Sequence, residues 1–292
     1  VLFPSPLAPG DPIRIVAPSG PFDRTLCLCG IGFLGQHYQV RFDWSLFAHD
    51  GFLAGPDPRR RSELELALSE PDSRAVIAAR GGYGITRILD ETDFSEFERT
   101  PKWIVGFSDV TALHVECARR GIASIHAHNC CGLGRGDAHG RARWLSALTD
   151  PRAERRHAGL ETWRSGSAEG VLYGGNLTVL FTLSAAHRLF VPDGAILFLE
   201  DITESAYRID RMLTALMSAG ALDGVSGVVL GGLTDCPPTR GIRAEDAAKE
   251  RLLELGVPVL AGLTAGHGRE NHPLVLGSRA RIQDGTFLFG GE

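Results

Sequence analysis

Short apolar runs alternate with longer stretches of helical spacing through the first half of the chain. Ile13-Arg14-Ile15-Val16-Ala17, rich in β-branched residues, stops at Pro18-Ser19-Gly20 and predicts a first buried strand. A glycine-bearing helix is expected from there to about residue 36, and residues 38–42 alternate like a strand. Gly51-Phe52-Leu53-Ala54-Gly55 is a loop, and Asp57-Pro58 supplies an N-cap and a first-turn proline for a helix to about residue 69. Residues 75–79 form the next strand, which runs straight into Arg80-Gly81-Gly82-Tyr83-Gly84 and a helical segment from Ile85. Residues 103–105 and 123–125 add two more strands. Strands alternating with helices imply parallel pairing in a doubly wound α/β sheet, whose ligands bind beyond the carboxyl ends of the strands.

From residue 134 to about 170 the pattern dissolves into Gly, Arg, Ala and Ser, broken by one short helix near residues 141–148. A linker over 136–169 is therefore expected, separating a domain of residues 1–135 from one of residues 170–292. In the second half, residues 176–185 read as a helix after Gly174-Gly175, and residues 195–199 as a strand. Ile209, Met212, Leu213 and Leu216 mark one apolar helix face closed by Gly220. Residues 227–230 form a strand, 244–255 a helix, and 280–289 a hairpin turning at Asp284-Gly285. No internal repeat is present.

The 292 residues are 43% hydrophobic and 22% charged, enough for a sizeable core, and the net charge of -5 comes without a long like-charge run. Neither a nucleic-acid surface nor a basic membrane-binding face is indicated. The six cysteines have neither zinc-site spacing nor the density of a disulfide scaffold, so reduced thiols and a cytoplasmic location are expected. No apolar run reaches the ~20 residues of a membrane span, and the first thirty residues lack the layout of a signal peptide. The chain starts at Val1 and not at methionine, which leaves an earlier leader open.

The chemistry centres on Trp103-Ile104-Val105-Gly106-Phe107-Ser108-Asp109-Val110-Thr111-Ala112-Leu113. A strand, a glycine and a serine are followed by helical spacing, which puts Ser108 on a strand-to-helix turn. There its hydroxyl stands clear of the sheet beside the first backbone N–H groups of the helix, as in a nucleophile elbow. The same position suits a helix N-cap. Glu200 stands at the end of an apolar strand, where it is either a site carboxylate or a helix-start acid. His267 lies between Gly266 and Gly268 on a loop, as a functional imidazole or a surface turn residue. Together they give the chain order Ser…Glu…His of α/β-hydrolases, although the elbow is Gly-Phe-Ser-Asp and not Gly-x-Ser-x-Gly. The Gly81-Gly82 loop offers a backbone N–H for an oxyanion, and it lacks the G-x-G-x-x-G pattern of a nucleotide site.

Eight motifs in register, from about residue 13 to 282, resemble the successive signatures of the LD-carboxypeptidases, or murein tetrapeptide carboxypeptidases. They are Ile15-Val16-Ala17-Pro18-Ser19-Gly20, Gly51-Phe52-Leu53-Ala54-Gly55, Arg80-Gly81-Gly82-Tyr83-Gly84, Gly106-Phe107-Ser108-Asp109, Gly174-Gly175-Asn176-Leu177-Thr178, Leu199-Glu200-Asp201, Tyr207-Arg208-Ile209-Asp210-Arg211-Met212-Leu213 and Gly266-His267-Gly268. The resemblance implies a flavodoxin-like N-terminal domain with a smaller β-rich α/β C-terminal domain, commonly in a dimer. It further implies a cytoplasmic serine peptidase of cell-wall recycling, without metal or cofactor, that cuts D-alanine from the diamino acid of the muropeptide stem. The family's serine, glutamate and histidine fall on Ser108, Glu200 and His267, and its oxyanion donors on the N–H groups of Gly82 and Asp109. The triad would then be divided between the two domains. Arg80, Tyr83 and Asn176 are expected to bind substrate, Arg80 and the helix start after Ser108 as anchors for the terminal carboxylate.

His126-Ala127-His128 stands where relatives usually carry His-Gly-Pro, and Ala185-Ala186-His187 replaces a common Gly-Thr turn. Two histidines at alternate strand positions face one way and invite a metal, but no third ligand is near in sequence. Two other functions stay open at this point. A microcin-immunity-like peptidase would keep the triad and cleave acyl-adenylate-type amides over an aromatic platform, for which Trp163 is available. A non-catalytic peptide-binding module would keep the scaffold alone.

Overall fold

The computed structural model describes residues 1–291, and the chain divides into two compact units, Val1–Pro151 and Arg152 onward. In the first unit, strands β1 (Pro12–Val16), β2 (Gln39–Arg41), β3 (Ala75–Ala78), β4 (Trp103–Gly106) and β5 (Ser124–His126) alternate with helices. The helices are α1 (Arg24–Leu34), α2 (Asp57–Ser69), the short α3 (Ile85–Ile88) and α4 (Ser95–Arg99), α5 (Thr111–Arg119), α6 (Cys130–Arg135) and α7 (Ala138–Thr149). The five strands pair in parallel in the order β2-β1-β3-β4-β5. That order is the flavodoxin arrangement, with its switch point between β1 and β3. All four residues of β3 and of β4 are buried, as expected of strands covered on both faces. The loops after β1 and β3 meet at the switch point, where the Gly20 N–H donates to the Gly81 carbonyl at 3.2 Å.

Helix α2 holds those two loops with buried ions. Arg60, wholly buried, donates to the carbonyls of Pro18 and Gly84 and pairs with Asp57. Glu63 accepts the Ala17 N–H at 2.6 Å and pairs with Arg59 at 2.8 Å. Such pairs add little net stability, but removing one partner leaves a buried charge and costs about 3–5 kcal/mol. Asp57 is the first helical residue and Pro56 the cap, so Asp57 acts as an ion-pair partner of Arg60 and Arg87 and not as the N-cap.

The second unit contains strands β6 (Arg155–His157), β7 (Glu161–Arg164), β8 (Ala168–Asn176), β9 (Ile196–Ile202), β10 (Gly227–Thr234), β11 (Val259–Ala261), β12 (Leu274–Leu276), β13 (Arg279–Gln283) and β14 (Thr286–Phe289). Helices α8 (Leu177–Ala185), α9 (Ala206–Ser218) and α10 (Ala244–Leu253) lie between them. An eight-stranded sheet runs β6-β14-β13-β8-β9-β10-β11-β7, parallel through β8-β9-β10-β11 and antiparallel at both flanks. Ile209, Met212, Leu213 and Leu216 of α9 are all buried, at the spacing of one helix face.

The segment 136–169 is not a linker. It carries α7 and two edge-forming strands, and the division falls at Pro151/Arg152, because Trp144, Ala147 and Leu148 of α7 are core residues of the first unit. Strand β8 was likewise masked by its glycines. At Gly174, φ is +136° and an added Cβ would run into the Phe198 carbonyl of β9, so the glycine is what lets these strands approach. Gly174→Ala is therefore expected to destabilise the protein by about 3 kcal/mol or more, read as a lowered midpoint in urea unfolding. A midpoint equal to wild type would show that β8 and β9 can separate at no cost.

Candidate active site

Strand β4 ends at Gly106, where an added Cβ would come within 2.7 Å of Asn129 Oδ1 and 2.8 Å of a Val110 methyl. The chain then turns. Asn129 Oδ1 accepts the Phe107 N–H at 3.1 Å, and Ser108 takes φ +66°, in the left-handed region that side chains disfavour. A 3-10 turn over Ser108–Val110 leads into α5, and neither helical start has a side-chain cap. The N-cap alternative for Ser108 is thus not realised. Holding a non-glycine residue there costs about 1–3 kcal/mol, the kind of local strain that gathers at functional sites.

His114 of α5 supports the corner from beneath. Its Nε2 lies 3.0 Å from the Gly106 carbonyl and its Nδ1 2.9 Å from Ser124 Oγ. A carbonyl can only accept, so Nε2 carries the proton and Nδ1 accepts from the serine. Burial holds the imidazole neutral, with its pKa pushed down to about 4.

The loop after β3 closes on the same corner. A Cβ on Gly81 would sit 2.7 Å from Ser108 Cβ and 3.0 Å from its Oγ, so only glycine lets this backbone lie against the serine. Gly82 is at φ +110°, and a Cβ added there would come within 3.4 Å of the Gly20 backbone. Asp109 is buried, and its Oδ2 accepts from Ser19 Oγ at 2.7 Å and from the Ile85 N–H at 3.0 Å. Burial pushes its pKa up to about 6, against those two hydrogen bonds and the field of Arg60. Tyr83 is exposed and packs beside Phe52 with ring centroids 6.0 Å apart, while Arg80 donates to the Pro21 carbonyl at 2.6 Å. Both side chains are exposed.

In the second unit, β9 runs three residues beyond the expected end and contains Glu200, which is fully buried and in register with Asn176 of β8. A helix-start acid would be solvated, so that alternative is excluded. Glu200 Oε2 lies 2.7 Å from His267 Nδ1. An ionised carboxylate only accepts, so Nδ1 carries the proton and Nε2 presents the lone pair of a base. Gly266, at φ +117°, is required here because a Cβ would come within 2.7 Å of Glu200 Oε2. Its N–H donates to Asn271 Oδ1 at 3.0 Å, which fixes the loop bearing the histidine.

Asn176 lies against the buried carboxylates. Its side chain is 4% exposed, donates to Glu200 at 3.3 Å and to Asp201 at 3.0 Å, and accepts from the Val179 N–H at 3.1 Å. It caps α8 and frames the carboxylate. Asp201, which the sequence reading did not single out, extends this network by accepting from the Thr178 N–H and hydroxyl at 2.9 and 2.8 Å. Its signal was the motif Glu200-Asp201 opposite Asn176-Leu177-Thr178. His126 is buried with its ring near those of Phe107 and His114, and no group of three or more metal-ligating side chains forms among the described residues. Trp163 lies on β7 with Lys249 Nζ 5.4 Å from its ring centroid.

Two outcomes are expected. Glycine relieves the left-handed strain at position 108, so Ser108→Gly should be more stable than Ser108→Ala by about 1 kcal/mol, the reverse of the usual order. Equal unfolding midpoints would mean that the corner is unstrained. His114 binds a proton in the unfolded chain below about pH 6.5 but in the folded one only below about 4, so stability falls as pH drops through this window. Between pH 7 and 4.5 this residue alone should remove about 2 kcal/mol, and His114→Gln should flatten the profile by that amount.

Models of the LD-carboxypeptidase N-terminal and C-terminal domains match residues 13–127 and 169–282. A Synechocystis sp. protein carrying an unproven carboxypeptidase assignment is 35% identical, over 99% of this chain and 97% of its own length. The murein tetrapeptide carboxypeptidase of Pseudomonas aeruginosa is 30% identical over 89% of this chain and 86% of its own. Among solved structures, the muramoyltetrapeptide carboxypeptidase of Oxalobacter formigenes superposes with a TM-score of 0.86 at 30% identity, covering 96% of this chain and 99% of that one. The microcin self-immunity protein MccF shares the fold, with a TM-score of 0.89 at 22% identity over 100% of this chain and 99% of that one. Matched by both domain models in order and by relatives over nearly its whole length, the chain belongs to the LD-carboxypeptidase family of peptidases.

Proposed function

We propose that the protein is a serine LD-carboxypeptidase that hydrolyses the bond between the L-centre of the diamino acid and the terminal D-alanine of murein stem tetrapeptides. The observation that carries this reading is the left-handed backbone of Ser108, a strained corner with Gly81 packed against the serine. Binding alone gives no reason to hold a serine in that conformation, whereas a nucleophile must be lifted out of the sheet toward backbone donors. The murein tetrapeptide carboxypeptidase among the relatives supports the choice of substrate.

In this mechanism Ser108 Oγ attacks the carbonyl carbon while His267 Nε2 takes its proton. Glu200 holds the imidazole through Nδ1 and stabilises the imidazolium that forms. The N–H groups of Gly82 and Asp109 receive the oxyanion, each worth about 3 kcal/mol in the transition state. The C–N bond breaks as His267 returns its proton to the leaving nitrogen, and D-alanine departs. Water, giving a proton to His267, then attacks the acyl-enzyme and regenerates Ser108. The terminal carboxylate of the substrate is assigned to Arg80 and the helix start after Ser108, and Tyr83 to the wall beside it. The same reading makes the protein a cytoplasmic homodimer of peptidoglycan recycling that needs no metal or cofactor.

D-alanine release from purified stem tetrapeptide tests the proposal. The wild type should release it equally with and without chelator, Ser108→Ala and His267→Ala should lose about 10⁴-fold or more, and Glu200→Gln about 10³–10⁴-fold. Full activity in Ser108→Ala would falsify the serine mechanism. Reaction of Ser108 with a fluorophosphonate but no D-alanine release would keep the nucleophile and reject the substrate, directing the search to acyl-adenylate-type amides.

A further inference from the structure

The carbonyl of Gly81 and the N–H of Gly82 belong to one peptide group. Because that group is planar and trans, whatever fixes the direction of the carbonyl fixes the N–H in the opposite direction. The Gly81 carbonyl accepts the Gly20 N–H at 3.2 Å, across the switch point between the loops after β1 and β3. Gly20 is held in turn by its neighbour: Ser19, wholly buried, donates its hydroxyl to Asp109 Oδ2 at 2.7 Å. The same oxygen takes the Ile85 N–H, just past the far end of the Gly81-to-Gly84 loop, at 3.0 Å. Asp109 is the residue after Ser108. One buried oxygen therefore ties the serine corner to both loops that set the Gly81–Gly82 peptide.

We propose that the Ser19 hydroxyl and the Asp109 carboxylate are positioning residues that aim the Gly82 N–H at the oxyanion, with the Gly20 N–H as the intermediary. The proposal rests on the reading of Gly82 as an oxyanion donor. It adds the loop after β1, which carries none of the assigned catalytic groups, to the machinery of the reaction. The loop is also held by Arg60 at the Pro18 carbonyl, by the Ala54 N–H on the Ser19 carbonyl at 2.9 Å and by Arg80 on the Pro21 carbonyl at 2.6 Å; the Ser19 hydroxyl adds a bond that joins it directly to Asp109, the residue after Ser108.

The test uses a peptidyl boronate, which adds to Ser108 as a tetrahedral anion and so reports the oxyanion donors whatever the natural substrate is. Ser19→Ala should bind it about 10–100-fold more weakly than wild type, with a matching fall in kcat for D-alanine release and KM changed less than about threefold, since losing a donor outright costs 10²–10³-fold. Asp109→Asn can place its amide oxygen where Oδ2 stands and should retain most of the affinity, whereas Asp109→Leu, which accepts nothing, should lose as much as Ser19→Ala. Unchanged boronate affinity in Ser19→Ala, or equal losses in Asp109→Asn and Asp109→Leu, overturns the proposal. Boronate binding that survives in Ser108→Ala as tightly as in wild type would instead overturn the catalytic reading, so the two failures are distinct. Should Asp109→Leu not fold, Ser19→Ala alone decides.

Discussion

A residue with a β-carbon held at φ +66° stays there only if its surroundings exclude the alternatives, and much of the first unit bears on that one constraint. Gly106 gives Asn129 and Val110 room to close on the turn, Asn129 receives the Phe107 N–H, and His114 props the Gly106 carbonyl from below. Gly81 lies against the serine itself. None of these contacts is large in energy. Together they determine the backbone so fully that the strain at Ser108 has no cheap route of release.

Carboxylates in both units are buried far more deeply than unpaired acids tolerate, and each is satisfied in its own way. Glu63 is matched by Arg59 and a backbone N–H, Asp109 by a hydroxyl and a backbone N–H, and Asp201 by Thr178, Asn176 and its neighbour's N–H. Glu200 meets an imidazole. At Glu63, Asp109 and Asp201 burial raises the pKa against these partners, and at Asp109 and Asp201, where the partners are neutral donors, the carboxylate acts as a clamp between segments.

The strands of the first unit were legible because β-branched runs bounded by glycine and proline leave few alternatives, and the α9 face because its apolar residues recur at helical spacing. Two of the elements missed are rich in glycine, whereas others, such as β6, β7, β11 and β12, are runs of three or four residues, too short to show a period. Strand β8 and helix α6 contain glycines that read locally as breaks, yet Gly174, Gly134 and, on α1, Gly30 stand where backbones from distant parts of the chain nearly touch. Sequence spacing carries no record of such an approach. Ser108, Glu200 and His267 were visible as residue types at element ends, and the Glu200–His267 pair is seen at 2.7 Å. The bonds of Asn176 to Glu200 and Asp201 were not legible, because an amide at the end of a motif does not reveal which neighbouring carboxylate it meets.

The Gly81–Gly82 peptide has two polar ends of opposite sign, and the Gly20 N–H selects which of them faces away from the β1 loop. Half a turn of that one plane, a motion that flanking glycines permit, would put a carbonyl oxygen where the N–H had been. Under the proposed mechanism, developing negative charge would then meet repulsion in place of a hydrogen bond, so the Gly20 contact would decide not only whether this peptide helps the reaction but whether it opposes it.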